Sequence, residues 1–449
     1  MTPPKPKPRP DKVSLWRYMK LFRQDVLSAQ PQRLYRAWMA EFRTPFFRSF
    51  LLNQPDLIDV VLRQRPEAFP KSARISEGLR PLLGTSVFLT NGERWKRQRR
   101  IIDPAFAGGR LKDTFPAMLD AANACVDRMQ SRVGTEIECE EITSHAAADV
   151  IFRTLFSVPI EHDTAAQVFD KFRAYQREQP LVNLAALVPL PAWVPRFHPR
   201  KSRKAAQEIR SLIERLTKQR AEQIAVGQAP DDLATKIMTT PDPETGNVFD
   251  TEEMVDQVAV FFLAGHETSA SALAWALYLL ALHPQWQDRI ANEARSVDDF
   301  SFTTLSRLKL SRDVFRETLR LYPPVPMMVR ETSCPEDFRN RPVPTGSQVV
   351  ISPWHLHRHE RLWDQPDDFD PARWETENGK TCQREAYIPF SAGPRVCPGA
   401  GFAMVEGPLI LSMLLHRFKF ETIQGRKPVP VAHLTVRSKD GIWLRVVER

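Results

Sequence analysis

The chain of 449 residues reads as a mainly α protein with small β-sheets, an α+β arrangement carried by a single domain over residues 13–449. Three observations lead there. Apolar residues recur at three- and four-residue spacing over much of the chain, runs of strand character are few and short, and the longest apolar stretch, Val258 to Leu282, has an ionisable centre. With 42% hydrophobic and 26% charged residues, the composition is that of a folded globular protein.

Taken in order, the first ten residues, M-T-P-P-K-P-K-P-R-P, are proline-rich and basic with no apolar run behind them, so residues 1–12 are expected to form an extended, disordered leader. Helical periodicity follows at about 115–133, 141–157 and 203–226. Gly227 to Gly246 has linker character but is too short to separate independent units. Val258 to Leu282 is long enough to span a bilayer, but Gly265, His266, Glu267 and Thr268 interrupt its middle, where ionisable groups are costly. A long central helix buried in protein fits better, opened by an Asp250/Glu253 capping box and closed by His283-Pro284. No integral membrane anchor is expected. Further helices fall at about 285–296, 311–321 and 400–417. Val343 to Ile351 reads as a strand, and Leu434–Val436 with Ile442–Val447 as a hairpin turning on Lys439-Asp440-Gly441.

A formal charge of +9 suits an acidic partner. Nucleic acid is disfavoured because the basic residues are scattered and no zinc-finger spacing occurs. Five cysteines (Cys125, Cys139, Cys334, Cys382, Cys397) form no close-spaced framework, which points to a reducing compartment, the cytoplasm.

The chemistry concentrates in F-S-A-G-P-R-V-C-P-G, Phe390 to Gly399. A thiolate at a helix start is stabilised by the helix dipole and nearby N–H groups, and Pro398 suits the first helical position. Gly393 and Gly399 allow backbone to approach a flat ligand, and Phe390 can shield sulfur from water. A lone loop cysteine is usually structural; the pattern around Cys397 is what favours a metal thiolate.

Phe390, Gly393, Arg395, Cys397 and Gly399 match, position for position, the ligand loop of the cytochrome P450 family, which the chain resembles over about residues 60 to 447. Other landmarks follow in order. A-G-H-E-T, Ala264 to Thr268, resembles the family's oxygen-activation motif; Glu317 and Arg320 match its Glu-x-x-Arg pair; F-D-P-A-R, ending at Arg373, resembles the segment that supplies a second arginine; Trp95 and Arg99 match Trp-x-x-x-Arg.

The resemblance implies the P450 fold with its long helix above haem b and Cys397 as axial ligand of the iron. It places Trp95, Arg99, Arg330 and Arg395 at positions that donate to the haem propionates, Ala264 beside the cofactor, Thr268 and Glu267 in proton delivery, and Glu317, Arg320 and Arg373 in a structural network. A thiolate ligand favours O–O cleavage over oxygen storage, so a monooxygenase is implied, inserting one atom of O2 into an organic substrate. No G-x-G-x-x-G follows a strand, so a separate ferredoxin or flavodoxin with an NAD(P)H-dependent reductase is expected to supply electrons. Lys96, Arg97, Arg100, Arg417 and Lys419 are candidate docking cations. The apolar, proline-broken run at 181–197 falls where the family has its access lid, and Met327 and Met328 near the expected pocket; both suggest a small lipophilic substrate. A monomer is expected.

Two other metal readings are weaker. His266-Glu267 begins like H-E-x-x-H, but position 270 is Ala. His355, His357 and His359 alternate and could share one face of a strand, with no carboxylate-lined pocket or cysteine pair to support a metal there. The competing functions are a haem-thiolate peroxygenase or isomerase and a non-enzymatic haem sensor or carrier. The Glu267-Thr268 pair argues against each, since none needs a proton relay.

Overall fold

The computed structural model describes residues 2–43, 48–178, 200–432 and 434–449. Helices follow one another as α1 Leu15–Gln24, α2 Pro55–Asp59, α3 Ala73–Leu83, α4 Gly92–Ile102, α5 Gly108–Gln130, α6 Cys139–Phe156, α7 Asp163–Glu178, α8 Arg200–Ala225, α9 Leu233–Thr239, α10 Thr251–Phe261, α11 Glu267–Leu282, α12 Pro284–Arg295, α13 Lys309–Leu321, α14 Pro353–Leu356, α15 Glu377–Glu385 and α16 Ala400–Arg417. Each periodic segment read from the sequence falls mainly on one of them, that at 115–133 running three residues past the end of α5. The mainly α class with small sheets is the fold observed. The chain groups into two compact units, one of Met1–Phe69, Ala122–Ser144 and Thr268–Arg449, the other of Pro70–Ala121 and His145–Glu267.

In the first unit, β1 Met39–Arg43 and β2 Arg48–Leu52 pair antiparallel, β2 runs parallel to β7 Gln348–Ile351, and β7 is antiparallel to β4 Met328–Glu331. Alternate β2 and β7 residues (Phe50, Leu52, Val349, Ile351) enter a core with Ile58, Leu62, Trp363 and Ile388. This core supports the cysteine loop. On the helical side α16 and α13 touch closely: a Cβ on Gly407 would lie 2.3 Å from Phe315 Cζ.

Three expectations change here. The leader is docked rather than disordered: Pro3, Pro4, Pro6 and Arg9 are buried, Tyr322 Oη donates to Pro4 O at 2.7 Å, and Lys5 pairs with Asp367 at 2.6 Å. Buried polar groups met by the leader's carbonyls and cations outweigh its backbone entropy. The strand over 343–351 is split. Pro342–Val343 (β6) pairs with Glu336–Asp337 (β5), Gly346 at φ +76° turns the chain, and only Gln348–Ile351 joins the larger sheet. Nor do the last two strands make a hairpin. Val436–Ser438 (β10) pairs with Pro430–Ala432 (β9), whereas Trp443–Glu448 (β11) lies between Glu136–Glu138 (β3) and Phe418–Thr422 (β8). The Asp440-Gly441 turn exists, but the Glu138 carboxylate takes the Ile442 N–H at 3.1 Å and draws the following strand to β3.

In the second unit α8 packs on α7, α10 and α3. The Asp256 carboxylate of α10 ties them, pairing with Arg210 of α8 at 2.7 Å and accepting from Thr85 N at 2.6 Å.

Candidate functional site

Cys397 lies on the loop before α16. Its N–H donates to Phe390 O at 2.9 Å and its carbonyl accepts from Ala400 N at 3.3 Å. Gly393, at φ +68°, packs so tightly that a Cβ would stand 1.9 Å from Leu62 O, so only glycine fits both the dihedral and the contact. Arg395 closes the short 3-10 turn Gly393–Arg395, and Phe390 is half-buried. The first helical residue is Ala400, capped by Gly399, and not Pro398, so α16 starts two residues later than the proline suggested.

Cys397 is the one exposed cysteine of the five; Cys125, Cys139 and Cys382 are buried and Cys334 is intermediate. Burial pushes the Cys139 thiol well above its ordinary value and Cys382 up to about 11, which removes both as thiolate donors. The loop therefore presents a single soft donor.

Arg330, on β4, is buried, and its guanidinium donates to Val329 O at 3.3 Å. Burial alone pulls it down to about 10, with no compensating carboxylate beside it among the described residues. A buried cation in that state suits an anionic ligand. Taken singly, the exposed thiol suits a soft metal and the buried guanidinium a carboxylate, the two kinds of group that a haem carries.

Glu317, Arg320 and Arg373 are brought together in the core of the first unit. The Arg320 guanidinium grips Glu317 through two bonds of 2.9 and 2.7 Å, and Arg373 Nε donates to the same carboxylate at 3.3 Å. The extra positive charge is spread over carbonyls: Arg320 donates to His357, Pro366 and Asp368, and Arg373 to Asp364 and Gln365. The network pins residues 357–373 rather than the cysteine loop itself. His357 completes the connection, because its Nε2 accepts the Ile388 N–H at 2.9 Å and Ile388 O accepts from Ser391 N at 3.1 Å. Burial holds His357 down to about 3, so its ring is neutral and has a lone pair to offer. His357 entered the sequence reading only as one of three alternating histidines. It lies just past α14, not on a strand, and the other two are committed elsewhere: His355 Nδ1 meets Ser352 Oγ at 2.8 Å and His359 stacks on Trp38 at 4.4 Å.

Between α10 and α11 the helix widens into a π turn, Phe262–His266. The Asp250/Glu253 capping box is present. Ala264 is exposed and Thr268 intermediate, whereas His266 and Glu267 are buried. A Cβ on Gly265 would meet Ile151 Cδ1 at 2.8 Å, so the end of that side chain would have to shift to admit one. The sequence reading missed the next residue. Ser269 Oγ donates to Glu406 Oε2 at 3.2 Å, and Glu406 Oε1 is a buried oxygen with no partner. Burial raises this carboxyl to about 8, so it is neutral at pH 7. Its signal was a lone acid in the apolar run of α16.

In the second unit Trp95 and Arg99 share a face of α4, and Arg99 Nε contacts Asp103 Oδ1 at 2.7 Å. The candidate docking cations are largely paired. Arg97 binds Glu253 at 2.6 Å, Arg100 binds Asp242 at 2.6 Å and Glu244 at 2.9 Å, Lys96 meets Glu93 at 3.0 Å, and Lys419 meets Glu421 at 3.6 Å. Arg417 is exposed. The expected lid at 181–197 lies outside the described residues. Met327 and Met328 are half-buried. No described helix is long and apolar enough to cross a membrane.

A model of the family described as Cytochrome P450 matches residues 13–444. Among curated relatives, Cyclooctat-9-en-7-ol 5-monooxygenase of Streptomyces melanosporofaciens is 30% identical over 86% of this chain and 83% of its own length. Cytochrome P450 4A11 of Homo sapiens is 31% identical over 88% and 79%, and a Cytokinin hydroxylase of Arabidopsis thaliana is 29% identical over 88% and 77%. The fold matches the crystal structure of the cytochrome P450DA heme domain with a TM-score of 0.82 at 24% identity, over 100% of this chain and 98% of that one.

Proposed function

Because the chain belongs to the cytochrome P450 family and is a haem-dependent monooxygenase, we propose that Cys397 is the axial ligand of its haem b and that the substrate is a small lipophilic molecule. One observation carries the ligand assignment: of five cysteines only Cys397 is exposed, on a loop held by its own backbone bonds and by a glycine that admits no side chain. When bound, the haem supplies dioxygen activation and one-electron chemistry.

The chain's own residues do the rest. Trp95, Arg99, Arg330 and Arg395 stand at family positions for the propionates. Arg330 is the best suited by its burial, whereas Arg99 shares its charge with Asp103. Phe390, Gly393, Gly399 and Ala264 stand at family positions that would offer the haem close, apolar contact. Thr268 would offer a hydroxyl, and Glu267 a carboxyl, able to hold and pass a proton. Glu317, Arg320 and Arg373 hold the scaffold. Electrons come from a separate donor, a ferredoxin or flavodoxin with its NAD(P)H-dependent reductase, to a monomeric enzyme in the reducing cytoplasm. The cations of α4 already engaged by carboxylates leave less surface charge for steering that donor than the sequence suggests.

Cys397→Ser tests the ligand. The expected variant lacks the red-shifted Soret band of the reduced carbon monoxide complex. Retention of that band with normal haem content would overturn the assignment.

A further inference from the structure

Helix α1 has two unlike faces. Tyr18, Met19, Leu21 and Phe22 are half-buried, with the Tyr18 and Phe22 rings 5.7 Å apart and the Arg9 guanidinium 5.5 Å over Tyr18. The opposite stripe carries Trp16, Arg17, Lys20 and Arg23, all exposed. Trp16 is 81% exposed, more than any other large hydrophobic residue described. No acid occurs from Lys12 to Gln24, and among the described residues Lys12, Arg17, Lys20 and Arg23 form no ion pair. The helix is fastened behind this stripe. Its C-cap, Asp25, is buried and accepts from Leu27 N at 3.0 Å and Ala432 N at 2.7 Å, while Val26 N donates to Ala432 O at 3.2 Å.

A single exposed apolar side chain is ordinary. A tryptophan in a row of unpaired cations on a fixed helix face is a narrower pattern. Indole rings settle at the headgroup level of a bilayer, and each cation beside them gains from anionic lipid. An acidic protein surface would complement the charges but gives the indole no comparable environment.

We propose that α1 is a peripheral membrane-binding element whose exposed stripe lies on an anionic phospholipid bilayer. The full-length holoprotein is mixed with vesicles of phosphatidylcholine alone or of phosphatidylcholine with phosphatidylglycerol, and sedimented. The expected result is partition onto the anionic vesicles, at least about tenfold weaker on the neutral ones and for Lys20→Glu/Arg23→Glu. Vesicles with brominated acyl chains should quench fluorescence in the wild type but much less in Trp16→Ala. Both variants alter exposed side chains, so an unchanged circular dichroism spectrum and haem content are expected and make the comparison fair. Wild-type protein left in the supernatant with anionic vesicles overturns the proposal. So does equal binding by the charge-reversed variant, or capture by an acidic protein without vesicle binding.

Discussion

The side chains with the clearest chemical assignments differ in how they reveal themselves. Glu317 and Arg320, which the structure pairs, were legible because of a spacing that few other folds require, and Cys397 and Thr268 stand out as candidates for the same reason. Glu406 and His357 were not, since a single acid in an apolar helix and a histidine in a polar run carry no pattern; their roles depend on Ser269 and Ile388, far away in sequence. Two predictions belong at this scale. Thr268→Ala is expected to keep its haem while product formation falls by roughly one to two orders of magnitude and electrons pass to peroxide; unchanged coupling would remove Thr268 from proton delivery. Glu406 has a folded value of about 8 against an ordinary 4.5, so the folded state holds a proton that the unfolded chain releases. That contribution is fully present below about 4.5 and is lost as pH rises through about 8. The melting temperature of the wild type should therefore decline over this range, and Glu406→Gln should flatten the decline by several degrees at pH 9. Parallel pH profiles for the two proteins would show that the carboxyl ionises without penalty.

Among elements, the helices were readable because burial on one face writes a period into the sequence, and the capping box announced the start of α10. The strands were poorer guides. A few apolar residues around Gly346 or Gly441 fit a hairpin as well as they fit separate sheets, and the choice is made by partners such as Glu138. The buried carboxylate of α13 illustrates the energetic side. Glu317→Gln would leave Arg320 and Arg373 charged in the core, and a loss of about 3–5 kcal/mol is expected. Thermal or urea unfolding reads this directly, and a loss below about 1 kcal/mol would mean that the backbone carbonyls suffice.

For the molecule as a whole, composition and periodicity gave the class correctly, but the proline-rich leader was misread. Low hydrophobicity predicts disorder only when nothing awaits the segment. Here Tyr322, Tyr35 and Asp367 offer a hydroxyl, a ring face and a carboxylate. Removing residues 2–8 should lower stability by about 1–3 kcal/mol, since the Tyr322 hydroxyl and Asp367 lose partners. An unaltered melting temperature for the truncated chain would show that the leader rests on the surface without contributing.

The π turn at Phe262–His266 implies that the long helix contains one residue more than a regular spiral would need. Each added residue turns the chain by about 100°, so excising one, for example Leu263, should let the coil close into an unbroken α-helix without moving Ser269 or Ser271 out of register with their neighbours. Such a shortened protein is expected to fold and to take up haem, yet to have lost the widened rung where Ala264 faces outward. The yield of product per electron consumed should then fall below that of the parent, and an unchanged yield would show the widened rung to be dispensable.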